Sequence, residues 1–221
     1  MTFSAAARLG RTRNVTVGPM GLEGVLGLPD AAVGIVLFAH GNGSGRFSPR
    51  NNFVATALRE AGFATLLLDL LTEAEAQDRR NVFDIRLLAE RLLMATAWVK
   101  QQPDTVTMPA CYFGASTGAA AAFVAEASNT WPVAAIVSRG GRPDLAGADL
   151  SRVRAPTLLI VGGADPLVID LNRAALAELR CEKQLLVVPG ATHLFEEPGA
   201  LATVVDLARD WFVAHAAKVP A

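Results

Sequence analysis

The sequence predicts an α/β fold: a mostly parallel sheet of eight strands with helices on both faces. Short apolar runs rich in Val, Ile and Leu alternate with helix-length amphipathic segments, the pattern of strands joined through helical crossovers. Hydrophobic residues make up 52 % of the chain and the mean hydropathy is +0.33, which suits strands buried on both faces. The 221 residues lie within the roughly 250 that one core reaches before chains divide. With no internal repeat, linker or low-complexity tract, residues 1–221 read as a single domain with a flexible N-terminal tip over 1–12.

Period-2 and β-branched runs place strands at 14–17, 22–28, 33–39, 64–69, 107–113, 133–137, 157–161 and 183–188. Apolar residues at three-and-four spacing place helices at 52–61, 84–100, 117–127, 169–180 and 198–216. Gly62 and Pro103 supply stop signals after the first two helices. The connection 138–155 has room for one short helical turn at most, so no lid is expected, the cleft is open and its substrates are of modest size. A charged loop at 71–82 is placed to flank the mouth.

Composition excludes several function classes. A net charge of −1 and a pI near 6.3 provide no basic field for nucleic acid or an anionic membrane. Apolar residues never run for the roughly 18 positions of a membrane span. Arg8, Arg11 and Arg13 are not followed by a signal-type apolar segment, so a cytoplasmic location is expected. Cys111 and Cys181 have neither disulfide nor metal-ligand spacing and read as reduced structural thiols. A small-molecule partner is expected, with no metal or organic cofactor, in a monomer or homodimer.

Chemistry concentrates in Gly114-Ala115-Ser116-Thr117-Gly118, a G-x-S-x-G pattern between an expected strand and an expected helix. With 19 glycines in 221 residues, chance would supply only about 0.05 such matches. The turn must be tight enough to push the serine hydroxyl above the sheet, and Gly114, Ala115, Gly118 and Ala119 are all small. Ser116 is therefore the candidate nucleophile. Asp165, in Gly162-Gly163-Ala164-Asp165-Pro166, leaves the carboxyl end of the seventh strand, where open α/β sheets form their sites. Asp144 and Asp170 compete for the acid's role, although Asp170 reads better as a cap of the helix it begins.

His193 lies between the last strand and the last helix. Of the other two histidines, His215 reads as solvated on the terminal helix and His40 as the brace of a loop. The chain order Ser116, Asp165, His193 differs from the trypsin-like and subtilisin-like orders. In such a set the histidine takes the serine proton, while the aspartate holds its tautomer and stabilises its cation. The glycine-rich run His40-Gly41-Asn42-Gly43-Ser44-Gly45 follows the third strand. Backbone N–H groups of Asn42 and Thr117 are assigned to an oxyanion hole, one donor from each loop. Gly41, Gly43, Arg46 and Arg139 are candidate substrate contacts, and Arg50 is a third arginine placed to select a carboxylate.

These segments resemble the dienelactone-hydrolase-like branch of the α/β-hydrolase superfamily, which includes small hydrolases fused to phosphoribosyltransferases. The resemblance rests on residues 37–41 and 48–51, on 113–118, on 160–165 and on 190–195, and covers residue 33 to the C-terminus. It implies an eight-stranded α/β-hydrolase fold, no cofactor and hydrolysis of an ester. Dienelactone hydrolases proper use a cysteine nucleophile where this chain has Ser116, so lactone specificity does not carry over. The phosphoribosyltransferase part is not expected at this length. Carboxylic-ester hydrolysis through an acyl-serine leads. Thioester, amide or peracid turnover by the same triad comes second, and a non-catalytic ligand-binding protein third.

Overall fold

The structure, a computed structural model, describes residues 10–41 and 44–216. Eight strands form one sheet: β1 (Arg11–Val17), β2 (Leu22–Leu28), β3 (Gly34–Ala39), β4 (Phe63–Leu68), β5 (Ala110–Ala115), β6 (Val133–Arg139), β7 (Thr157–Gly162) and β8 (Lys183–Val188). Their order across the sheet is β1-β2-β4-β3-β5-β6-β7-β8. Strand β2 runs antiparallel to both its neighbours, and every other pairing is parallel. Each of the eight expected strands is present. Of the expected flexible tip over 1–12, Arg11 and Thr12 belong to β1 and pair with Leu28 and Gly27, and residues 1–9 lie outside the described residues.

The helices are α1 (Pro49–Glu60), α2 (Glu73–Ala76), α3 (Arg79–Phe83), α4 (Ile85–Val99), α5 (Thr117–Ser128), α6 (Pro166–Glu178) and α7 (Ala200–Ala216). Side chains alternate across the strands, so β3 sends Ile35, Leu37 and Ala39 to one face and Val36 and Phe38 to the other. The first face carries α4, α5 and α6, and the second carries α1 and α7. Phe38 and Phe113, on adjacent strands, meet on the second face with ring centroids 5.1 Å apart. At the sheet's margins Arg11 and Arg13 on β1 and Lys183 on β8 keep the unpaired edges charged.

Two connections differ from expectation. The charged stretch 71–82 contains α2 and all but the last residue of α3, and α2 is opened by a capping box in which Thr72 accepts from Glu75 N–H while the Glu75 carboxylate accepts from Thr72 N–H. The connection after β6 holds a 3₁₀ segment, Pro143–Arg152, kinked at Gly147, rather than one short turn.

Topology fixes the position of the site. Strands β3 and β5 are neighbours, yet β3 leads to α1 on one face and β5 to α5 on the other. Their outgoing loops diverge and open a crevice at the carboxyl edge.

Candidate active site

Ser116 sits between β5 and α5 with φ 52° and ψ −124°. A non-glycine residue held there stores about 1–3 kcal/mol of backbone strain. The neighbours that make the turn possible are glycines. A Cβ at Gly114 would lie 2.5 Å from Ala119 Cα, and one at Gly118 only 2.1 Å from the Ala39 carbonyl oxygen. The second approach locks the start of α5 against the end of β3. It also brings Gly41 beside the serine, since a Cβ on Gly41 would fall 2.7 Å from Ser116 Cβ.

Asp165 and His193 come together from the loops after β7 and β8. Gly163 N–H donates to Val188 O and Ala164 N–H to Ala191 O, at 2.8 and 2.9 Å, so the two loops are stitched along their backbones. Asp165 occupies the N-terminal cap position of α6 but makes no capping bond with its side chain. Its carboxylate accepts instead from His193 Nδ1 at 2.8 Å. Ala191 and Phe195, both buried, anchor the histidine loop in the second-face core, and Phe195 takes a positive φ of 56° to do so. With Nδ1–H committed to Asp165, the unprotonated Nε2 is an acceptor and has no hydrogen-bond partner among the described residues.

Thr117 opens α5, so its backbone N–H points out of the helix start, as a donor to developing negative charge would. Asn42, the other expected donor, and Gly43 lie outside the described residues. His40 braces the β3 loop as expected, with Nδ1 donating to Gly41 O at 3.1 Å and Nε2 accepting from Leu70 N–H at 3.3 Å. Burial pushes its pKa below 6.5, opposed by the Gly41 carbonyl and by Asp69. Next to it lies a cavity of about 220 Å³ lined by Gly41, Leu71, Ala76, Val82, Leu88 and Thr117, among others. The 71–82 loop thus flanks the mouth, with α2 and α3 forming an apolar wall that its charged sequence did not suggest.

The chain matches the family described as "Dienelactone hydrolase family" over residues 22–215. It belongs to that family. Within the dienelactone hydrolase family, a solved dienelactone hydrolase from Anabaena variabilis is 53 % identical, with a TM-score of 0.89 over 93 % of this chain and 97 % of its own. A Mycobacterium tuberculosis (strain H37Rv) protein named "Putative phosphoribosyl transferase Rv0571c" is 59 % identical over 91 % of this chain. Only 45 % of that relative is covered, so the chain spans about half the length of the curated relatives it matches. A Xanthomonas campestris structure described as an α/β serine hydrolase without lid shares the fold at 22 % identity, with a TM-score of 0.74 over 95 % of this chain and 97 % of its own. The chain is thus a member of the dienelactone hydrolase family with an eight-stranded α/β-hydrolase fold. No helix among the described residues is long and apolar enough to cross a membrane.

The remaining candidates of this dienelactone hydrolase family member divide by their partners. Asp144 is held by Arg142 through bonds of 2.8 and 2.7 Å. Asp170 does not cap α6, which begins four residues earlier at Pro166; it lies exposed on the helix and pairs with Arg173. His215 is not solvated. It is buried, bonded to Trp211 O at 2.7 Å and Glu182 Oε1 at 3.1 Å, because α7 turns that face onto the sheet. Arg46 is committed to Asp69 and Glu23 and acts as a strut for its loop. Arg50 is paired with Glu196 at 2.8 Å. Arg139, the last residue of β6, is buried at 7 % exposure.

Proposed function

We propose that this chain hydrolyses small carboxylic esters through an acyl-serine intermediate, with Ser116 as nucleophile, His193 as general base and Asp165 as its orienting carboxylate. The observation that carries the reading is the 2.8 Å bond from His193 Nδ1 to Asp165, formed at the same sheet edge as the strained Ser116 turn. Attack by Ser116 Oγ passes its proton to Nε2, and Asp165 stabilises the imidazolium that results. The Thr117 N–H supports the tetrahedral oxyanion, and the returned proton leaves with the alcohol. Water then repeats the sequence on the acyl-serine. The expected setting is the cytoplasm, and the expected partner is a small-molecule ester.

A fluorophosphonate is expected to label one residue, Ser116, by intact mass and peptide mapping. Ser116→Ala should lower kcat by about 10⁶ and Asp165→Asn by about 10⁴. Labelling elsewhere with Ser116 untouched refutes the nucleophile, and full activity in Asp165→Asn refutes the acid.

A further inference from the structure

Thr117 lines the crevice cavity as well as opening α5. It follows the nucleophile in sequence and borders the 220 Å³ space together with His40, Gly41, Ser44 and the apolar wall described above. The residue is 4 % exposed, and its Oγ1 is buried with no hydrogen-bond partner among the described residues. The other polar side chains of the cavity are engaged: both His40 ring nitrogens bond to backbone, and Ser44 Oγ accepts from Asn51 Nδ2 at 3.4 Å. Among the described residues, Thr117 thus holds the one unanswered hydroxyl of the cavity. A valine of the same shape would fill the space without leaving a buried hydroxyl unpaired, so packing alone gives no reason for threonine here.

Position decides which part of a substrate reaches that hydroxyl. In the hydrolase reading the departing alcohol takes its proton from His193 Nε2, so the alcohol lies toward the loops after β7 and β8. None of the described residues lining the cavity comes from those loops, so the cavity receives the acyl side. The carbonyl oxygen faces Thr117 N–H, and covalent geometry puts Oγ1 about 3–4 Å from the nitrogen of the same residue. Each group reaches a partner at about 3 Å. An oxygen carried one or two carbons beyond the ester carbonyl therefore meets Oγ1 while the carbonyl stays on the N–H. A hydroxyl suits that place, because threonine can donate to it or accept from it.

We propose that the Thr117 side chain selects esters of short hydroxy acids, by pairing its hydroxyl with one on the α or β carbon of the acyl group. The proposal rests on the hydrolase reading for its substrate, and its binding arm is independent of turnover. In the kinetic arm, ethyl α-hydroxybutanoate and ethyl β-hydroxybutanoate, each enantiomer separately, are compared with ethyl butanoate by acid release. The added hydroxyl also changes the intrinsic reactivity of the ester. The quantity read is therefore the hydroxy-to-plain ratio of kcat/KM in the wild type, divided by the same ratio in Thr117→Val. A quotient of about ten is expected for one hydroxy ester, and its position and hand locate the contact. Thr117→Ser, which keeps the hydroxyl, should preserve the wild-type ratio. Thr117→Ala takes the place of Thr117→Val should the latter fail to fold.

In the binding arm, thermal unfolding of the Ser116→Ala protein is followed with α-hydroxybutanamide, β-hydroxybutanamide and butanamide, all uncharged. A saturable rise in Tm, larger with a hydroxyamide than with butanamide and levelled in Ser116→Ala/Thr117→Val, is expected. Ester hydrolysis with a quotient near one for every hydroxy ester, and equal Tm responses to the three amides, overturns the contact while the hydrolase reading stands. A Thr117-dependent response to a hydroxyamide without any ester turnover leaves the contact and removes the hydrolase reading.

Discussion

Replacing Gly118 by alanine tests the elbow most directly. The new Cβ would stand 2.1 Å from Ala39 O, 2.5 Å from Ala39 C and 2.6 Å from His40 O. The first distance falls about 1.3 Å short of ordinary van der Waals contact, which begins at 3.4 Å. All three neighbours are backbone atoms, so no side chain can rotate away, and either α5 or the end of β3 must shift by roughly an ångström. Overpacking of this kind costs about 2–3 kcal/mol, equivalent to roughly 4–12 °C in Tm for a domain of this size. The same shift separates the Ser116 turn from the His40–Gly41 loop, and a displacement of about 1 Å at a reacting centre costs on the order of 10² in rate.

Urea denaturation measures the first effect and phenyl acetate turnover the second. Gly147→Ala provides the contrast. Gly147 has φ 54° and ψ −132° with open space around it, so alanine there adds strain of about 1–3 kcal/mol without reaching the site. Comparable destabilisation in the two variants, with activity lost only in Gly118→Ala, is the expected result. A Gly118→Ala protein with wild-type midpoint and wild-type turnover would refute the packing argument.

Two further outcomes follow from the same region. Because burial holds His40 below its ordinary 6.5, the unfolded chain takes up that proton more readily than the folded one. The stability this represents is present above about pH 6.5 and is lost as the pH falls toward the folded-state value; between roughly pH 7 and 5, Tm should fall less steeply in His40→Gln, and identical slopes would refute the assignment. The 220 Å³ cavity exceeds the roughly 150 Å³ that holds a benzene ring, so Ala76→Phe should raise KM for a phenyl-bearing ester relative to ethyl acetate, by about tenfold. An unchanged ratio would place that substituent elsewhere.

Much of the architecture was legible because burial imposes a readable pattern. Strands such as Gly34–Ala39 and Thr157–Gly162 are buried throughout and almost wholly apolar, as strands covered on both faces are. The position of Ser116 was legible because it stands immediately beyond such a strand, β5, whereas His193 lies in the loop after β8, an edge strand whose Lys183 and Gln184 are exposed. Short helices were not legible, since α2 and α3 contain no fully buried residue and the run Glu73, Glu75, Asp78, Arg79 and Arg80 reads as solvated loop; the Thr72–Glu75 spacing was the available signal. His215 was misread because its neighbours in sequence are alanines, whereas its environment comes from Trp211 and from Glu182 at the start of β8. Arg139 ends a strand that is buried along its whole length, and that position alone hinted at its burial.

The strand order has a consequence for engineering. From the middle of the sheet to one edge, β3, β5, β7 and β8 lead at their carboxyl ends into the loops or turns that hold Gly41, Ser116, Asp165 and His193, and β6 ends in Arg139. The other three strands contribute none of these. The β1–β2 hairpin, at that far margin, is joined by a short exposed turn at 18–21. A fused reporter, a surface tether or new chain termini could therefore be introduced there, two strands away from the nearest crevice strand, with the chemical half of the molecule left to fold around its own crossovers.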